Sequence, residues 1–419
     1  MTPVVGAKAG LAYGALGLPL AFVALPLYVL LPNHYASALG VPLAALGALL
    51  LGARLVDAVA DPWIGRWADA WFAHSIRRVF AFALPAAVLA AAGLHALFFP
   101  AVRGTAALLL WCGVALAVTY LAYSVLSVVH QAWGARLGGD APQRARIVAW
   151  REGLALAGVL LASVLPSLAG LGAMSAVFAL ALALGLVALM QAPRAASAPH
   201  GGAATGLVTP LRNPAFRRLL AIFLVNGVAS AVPATLVLFF IRDRLQLAPL
   251  EPAFLFTYFA AGALSMPLWV RGVARFGLER MWLAGMLLAI AAFVWAAVLG
   301  AGDAWGFGAV CLASGLALGA DLALPSALLA GVIGRAGHAG QAEGAYFGWW
   351  NFAIKLNLAL AAGLALPLLA LLGYTPGARD ASALHALTLT YCLLPCALKL
   401  GAAALLAWGW MRTPHGSTT

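Results

Sequence analysis

Apolar residues run through twelve stretches of the chain, near residues 9–32, 41–65, 79–100, 105–133, 147–170 and 173–192, then 216–241, 252–275, 281–300, 305–334, 344–372 and 384–410. A helix crosses the hydrocarbon layer of a bilayer in about 20 residues, so each stretch is long enough to span. The runs are continuous, without the period-two alternation of outer-membrane strands, and a β-barrel is excluded. The pattern predicts an all-α, polytopic membrane protein with 12 transmembrane helices. Composition agrees: 64% of the 419 residues are hydrophobic and 9% are charged, against about 25% charged in soluble domains.

A net charge of +12 would suggest a nucleic-acid partner in a soluble chain. Its distribution gives a different reason. With the N-terminus inside, the inner segments carry Lys8, Arg66, Arg77, Arg78, Arg136, Arg144, Arg146, Arg194, Arg212, Arg217, Arg218, Arg271, Arg275, Arg280, Arg335 and Arg412. The outer loops carry Arg103, Arg242, Arg244 and Arg379. This is the positive-inside bias, and it predicts that both termini are cytoplasmic. Arginine outnumbers lysine 21 to 3, a composition that suits a bacterial inner membrane. No nucleic-acid partner is expected. Cys112, Cys311, Cys392 and Cys396 all fall inside spans without metal-ligand spacing and read as small buried apolar residues.

The longest interruption, rich in Ala, Pro, Gly and Ser, divides the chain into an N-terminal bundle (1–192), a cytoplasmic linker (193–215) and a C-terminal bundle (216–419). The halves echo each other. Pro62 and Arg66 recur as Pro267 and Arg271, and Arg151-Glu-Gly-Leu-Ala-Leu-Ala recurs as Lys355-Leu-Asn-Leu-Ala-Leu-Ala. Pro166 to Gly172 likewise matches Pro367 to Gly373. Two like-oriented six-helix halves are the plan of secondary transporters with parallel repeats. No nucleophile–base pair, metal motif or phosphate-binding loop appears, so an enzyme and an ATP-driven pump are not expected, nor is any cofactor.

The informative positions are ionisable groups inside apolar helices, where each must meet a partner or water. Arg54, Asp57 and Asp61 follow at spacings of three and four and share one helix face. Two acids beside one arginine point to a coupling-cation site, filled by a proton or by sodium, the alternative being a structural Arg54–Asp57 salt bridge with Asp61 at the cytoplasmic rim. Arg151, Lys355, Trp349, Trp350, Trp133, His130 and Asp321 are the candidate substrate-binding residues. Lys355 lies about 16 Å into its helix at ~1.5 Å per residue and cannot easily reach either surface. Arg151 and Asp321 read equally as structural groups, and His130 as a buried interhelix hydrogen bond. The tryptophans fit either stacking on a solute or helix packing. Lys399 stands without a neighbouring charge in span 12 and reads as a packing or interhelix group, and Glu343 suits the N-terminus of span 11.

Tyr13-Gly14, then Arg54-x-x-Asp57-x-x-x-Asp61-Pro62 with Gly65, and Glu343-Gly344 leading to Lys355 and Gly373-Tyr374, resemble the glycoside–pentoside–hexuronide:cation symporters of the major facilitator superfamily. The resemblance covers essentially the whole chain. It implies two pseudo-symmetric six-helix bundles, a cation site at Asp57 and Asp61, and a substrate cavity served by Arg151 and Lys355. Two departures matter. Ala60 stands where the family has an asparagine beside the second acid, which removes a neutral oxygen suited to sodium and favours a proton. Leu18-Pro19-Leu20 replaces the span-1 acid that grips sugar hydroxyls. The arginine-rich segment after span 2 is reduced to His74, Arg77 and Arg78.

The expectation is a cation-coupled secondary transporter of a small organic, sugar-like solute, working as a monomer among membrane lipids by alternating access. The alternatives are a lysolipid or amphiphile transporter of the same fold, a proton-driven exporter, and a non-transporting membrane assembly protein.

Overall fold

A backbone in lipid must satisfy its hydrogen bonds within the segment, and the described residues form helices with no strand. The computed structural model describes residues 6–194, 206–375 and 377–411. Residues 195–205 of the expected linker, and Arg412, lie outside the described residues. Ten of the described helices are long and apolar enough to cross a membrane. The two further spans of the twelve have simple physical reasons. Helix Leu43–His74, 32 residues long, carries Arg54, Asp57, Asp61, Arg66 and Asp69 and is the further span of the first set. The helical run Ala141–Gln191 is two spans joined at Gly170, whose φ of 82° is a left-handed conformation natural to glycine.

Here α1 denotes residues 7–38, α2 Leu43–His74, α3 Ile76–Phe98, α4 Thr105–Arg136, α5 residues 141–169 and α6 residues 171–191. The second set is α7 Pro214–Arg244, α8 Glu251–Phe276, α9 Leu278–Ala296, α10 Ala304–Arg335, α11 Glu343–Leu371 and α12 Ala381–Trp410. The first helix is broken. Ala7–Gly14 and Gly17–Phe22 are separate pieces, and Pro26–Leu30 and His34–Ala38 are π-turns. Pro19 and Pro26 remove backbone donors there, so the chain cannot keep one regular ladder. Pro233, Pro325 and Pro367 instead sit inside continuous helices.

The chain forms two compact units. The first comprises Met1–Pro210 with Ile333–Phe352, and the second comprises Leu211–Val332 with Ala353–Thr419. Within the first, α1 packs against α5 and α6, while α4 packs against α2 and α3. Within the second, α12 packs against α7 and α9. Glycines set the closest approaches. A Cβ on Gly14, Gly17 or Gly158 would meet backbone carbonyls across the α1–α5 seam. At the matching seam of the second unit, a Cβ on Gly227 in α7 would meet the amide of Asn357 in α11. Small residues let helix axes come close enough for dispersion to hold them together in lipid, where no hydrophobic effect drives association.

The outer faces are apolar: Leu168, Leu264, Val298 and Trp305 are largely exposed. Exposure of this kind suits a lipid solvent. All four cysteines are buried and unbridged.

Candidate functional site

The helical period brings Asp57 and Asp61 to one face of α2, and that face is turned inward. Asp57 is 3% exposed and Asp61 is fully buried. Asp57 Oδ1 accepts the Ser124 hydroxyl of α4 at 2.8 Å. Arg54 lies one turn earlier, with its guanidinium carbon 3.9 Å from the centroid of the Tyr28 ring of α1. Tyr28, Tyr120 and Tyr123 stand within electrostatic reach of these acids. The site is therefore two acids one turn apart, an arginine stacked on an aromatic face, a serine hydroxyl and a wall of phenols. The sequence signal for the α4 members was present. Tyr120, Tyr123, Ser124 and Ser127 are polar atoms at helical spacing in an apolar span.

Two carboxylates one turn apart repel when both are ionised, and a shared proton or small cation relieves that repulsion. The oxygens at hand, from Asp57, Asp61 and Ser124, are hard donors. Ala60 contributes none. Among the described residues no cluster of three or more His, Cys, Asp or Glu side chains forms a metal centre.

The other candidates in the first unit fall into two groups. Arg151 is buried and pairs with its neighbour Glu152 at 2.6 Å. The Tyr13 ring stacks obliquely on His130, whose Nε2 lies 2.8 Å from the Tyr13 carbonyl, while the Tyr13 hydroxyl donates to the His130 carbonyl at 3.2 Å. This reciprocal pair ties α1 to α4, the interhelix role weighed for His130. Gln131 donates to Ser127 and to Asn351 of α11, both at 2.9 Å. Trp133 belongs to the core. Its ring packs edge-on against Phe72 and Phe80, and its N–H donates to the Pro193 carbonyl at 3.0 Å. Its buried ring serves packing in this state rather than stacking on a solute. Trp350 is buried, and Trp349 donates its N–H to the Leu207 carbonyl at 2.9 Å.

A cluster not anticipated from sequence closes the end of the first unit where α2 and α4 finish. Asp69 accepts the backbone N–H groups of Gly344 and Ala345 at 2.7 and 2.8 Å. Arg136 reaches Asp69 at 2.9 Å, Glu343 at 3.0 Å and the Gly340 carbonyl at 2.6 Å, and lies over the Phe72 ring. An anion at the first turn of a helix meets unsatisfied N–H groups and the positive end of the dipole. The start of α11 is thereby clamped to α2 and α4. Glu343 also accepts the Gly340 N–H at 2.5 Å, which is the capping role expected of it.

In the second unit Lys399 takes the interhelix role expected of it, with a partner that the sequence did not name: its Nζ lies 2.7 Å from Asp321 Oδ2 and 2.9 Å from Ser230 Oγ. Asp321 also accepts Asn226 Nδ2 at 3.1 Å, Ser230 Oγ at 3.3 Å and Trp282 Nε1 at 2.9 Å. This carboxylate thus joins α7, α9, α10 and α12. Lys399, eighteen positions into α12 by sequence number, was too far along the chain for spacing to link it with Asp321. Lys355 is half-buried on α11.

Two outcomes follow. Asp69→Asn loses the anion at the start of α11, and charge-assisted hydrogen bonds contribute about 1.5–3 kcal/mol each, so amide exchange in residues 343–352 should quicken about tenfold or more by hydrogen–deuterium exchange mass spectrometry. Asp321→Ala strands the Lys399 ammonium in the bundle, and breaking such a pair costs about 3–5 kcal/mol. Its thermal unfolding should fall well below wild type, whereas Asp321→Leu combined with Lys399→Met should recover the part due to the stranded charge and not the part due to the donors of Asn226, Ser230 and Trp282.

Comparison with known proteins agrees with this architecture. Residues 9–408 match the family described as MFS/sugar transport protein. The fold is similar to the E. coli fucose:proton symporter FucP, at TM-score 0.67 and 14% identity over 96% of this chain and 99% of that one. It is similar also to a bacterial homologue of the iron transporter ferroportin (TM-score 0.71, 15% identity, 95% and 99% covered). A third likeness is the human organic anion transporter MFSD10 (TM-score 0.60, 17% identity, 96% and 100% covered). No curated protein matches the sequence. The likenesses to solved structures lie below 25% identity and carry the fold, while the family match extends over nearly the whole sequence. The chain belongs to the MFS/sugar transport protein family of membrane transporters.

Proposed function

We propose that the protein is a cation-coupled secondary transporter, driven by protons in preference to sodium, that moves a small hydroxylated solute across a bacterial inner membrane by alternating access. The observation that carries this reading is the placement of Asp57 and Asp61 one turn apart and buried in α2. A pair of acids at that depth has two charge states that differ strongly in electrostatic energy, so binding a cation changes which conformations are accessible. Ser124 holds Asp57 in place. Arg54, stacked on Tyr28, offsets part of the negative charge without removing the repulsion between the two acids.

Coupling follows from differential stability. The cation-loaded, solute-loaded form and the empty form change conformation readily, and the half-loaded forms do not. Release of the clamp between Asp69, Arg136 and the start of α11 belongs to the same cycle, because α11 continues into the second unit. The family description as sugar transport and the fucose:proton symporter among similar folds support a hydroxylated solute and proton coupling.

The test is uptake into proteoliposomes under an imposed pH or sodium gradient. Coupling free energies run about 1–3 kcal/mol, so Asp57→Asn and Asp61→Asn should each lower gradient-driven accumulation about tenfold to a hundredfold while solute exchange without a gradient persists. Accumulation that survives both substitutions overturns the assignment.

A further inference from the structure

The outward side of α2, opposite its acids, is not uniformly apolar. Trp63, Trp67 and Trp71 follow at intervals of four, which sets them in one row along the helix. Trp63 is 44% exposed and Trp67 is 54% exposed. Trp71 ends the row by stacking on Phe82 of α3, with ring centroids 4.2 Å apart and planes at 9°. Arg66, exposed, lies three positions after Trp63 and one before Trp67. Asp57, Asp61 and Asp69 of the same helix are buried on its other side. No ion pair among the described residues involves Arg66. Arg78, also exposed, stands one turn before Phe82, so arginines of two helices flank the tryptophan row.

Depth decides what this face meets. The hydrocarbon layer takes about 20 residues of helix, or ~30 Å, and α2 has 32 residues. Counted from Leu43, Trp63 stands at the far edge of that layer. Arg66 follows roughly 35 Å along at ~1.5 Å per residue, at the level of lipid phosphates. Val56 and Val59, both exposed, carry the same face back into the hydrocarbon. The order along the face is alkyl, indole, guanidinium, which matches the chains, glycerol and phosphate of a phospholipid. Charge topology accounts for an arginine here and not for the tryptophans. The internal repeat separates the two. At the offset that relates Arg66 to Arg271, Leu268 and Gly272 stand in place of Trp63 and Trp67. The first turn of α9 also carries Glu279, whereas that of α3 has no acid and holds Arg77 and Arg78.

We propose that this face of α2 and α3 binds an anionic phospholipid of the surrounding bilayer, with the phosphate on Arg66 and the glycerol and upper chains along Trp63 and Trp67. The planar guanidinium suits a phosphate, since it meets two oxygens at once. Arg77 and Arg78 extend the positive charge towards the headgroup, and such a cluster favours a lipid with net negative charge. The ammonium of a zwitterionic headgroup finds no exposed acid on α2 to receive it. The lipid is a bound component of the protein and not its cargo. The inference therefore rests on neither the cation nor the solute assigned above.

The test is native mass spectrometry of the purified full-length protein in detergent, titrated with phosphatidylglycerol, phosphatidylethanolamine or phosphatidylcholine of identical chains. The first phosphatidylglycerol should bind about tenfold tighter than either zwitterionic lipid. Arg66→Gln should weaken it about fivefold, and Arg66→Lys should keep most of the affinity. Trp63→Leu combined with Trp67→Leu should weaken binding of all three lipids. These side chains are exposed, so the substitutions leave the packed core in place. Arg271→Gln removes an equal charge from the matching position of the repeat and should bind phosphatidylglycerol as wild type does. The proposal is overturned if the three lipids bind equally, if Arg66→Gln binds as wild type does, or if Arg271→Gln weakens binding as much as Arg66→Gln. Displacement of the lipid by an equal concentration of chainless glycerol phosphate would also overturn it, in favour of a site for free phosphate. No ion gradient or transported solute enters this assay, so its outcome is independent of the coupling test.

Discussion

Compensating a carboxylate inside an apolar helix bundle is the constraint on which this structure turns. Lipid and packed alkyl chains supply no hydration, so every buried acid must meet donors or positive charge nearby. Asp321 meets a lysine, an amide, a hydroxyl and an indole from three other helices. Asp69 meets an arginine and the first N–H groups of α11. In both cases the compensation is built from fixed groups and binds helices together. Asp57 and Asp61 differ, because two acids on one helix face oppose each other in addition to being desolvated. Compensation of that pair by a mobile cation is the proposal made above for this protein.

Close backbone approach is the second ingredient. Gly65 of α2 faces Gly344 of α11, and Gly348 faces the backbone at Asp61 and Pro62. The acids therefore sit beside the stretch of α11 that the Asp69 clamp holds. A change of charge at Asp61 acts on a helix pair with no side chains to cushion it. That arrangement packs α2 against the first two turns of α11 within the first unit.

Much of this was legible in the sequence, because hydropathy and helical spacing are local. The twelve spans, the shared face of Arg54, Asp57 and Asp61, the buried cysteines and the capping role of Glu343 all follow from neighbours within a few turns. What local pattern could not supply was the partner across space. Lys399 looked isolated since Asp321 lies 78 positions earlier. Arg136 was counted only as a topological charge, although it stands between Asp69 and Glu343. Trp133 carried the same aromatic signal as Trp349, and only packing distinguishes its place against Phe72 and Phe80. The break between α5 and α6 was visible as a Gly-rich hairpin, while its position at Gly170 depended on backbone geometry.

The central claim is that cation and solute move together in fixed proportion through the α2 site. It is tested most directly by the reversal potential of solute flux in proteoliposomes, with the solute gradient balanced against a known proton or sodium gradient. The account predicts a null point that shifts with the ion gradient by a constant ion-to-solute ratio, set by protons in preference to sodium. A null point that stays at equal solute concentrations whatever ion gradient is imposed would contradict it.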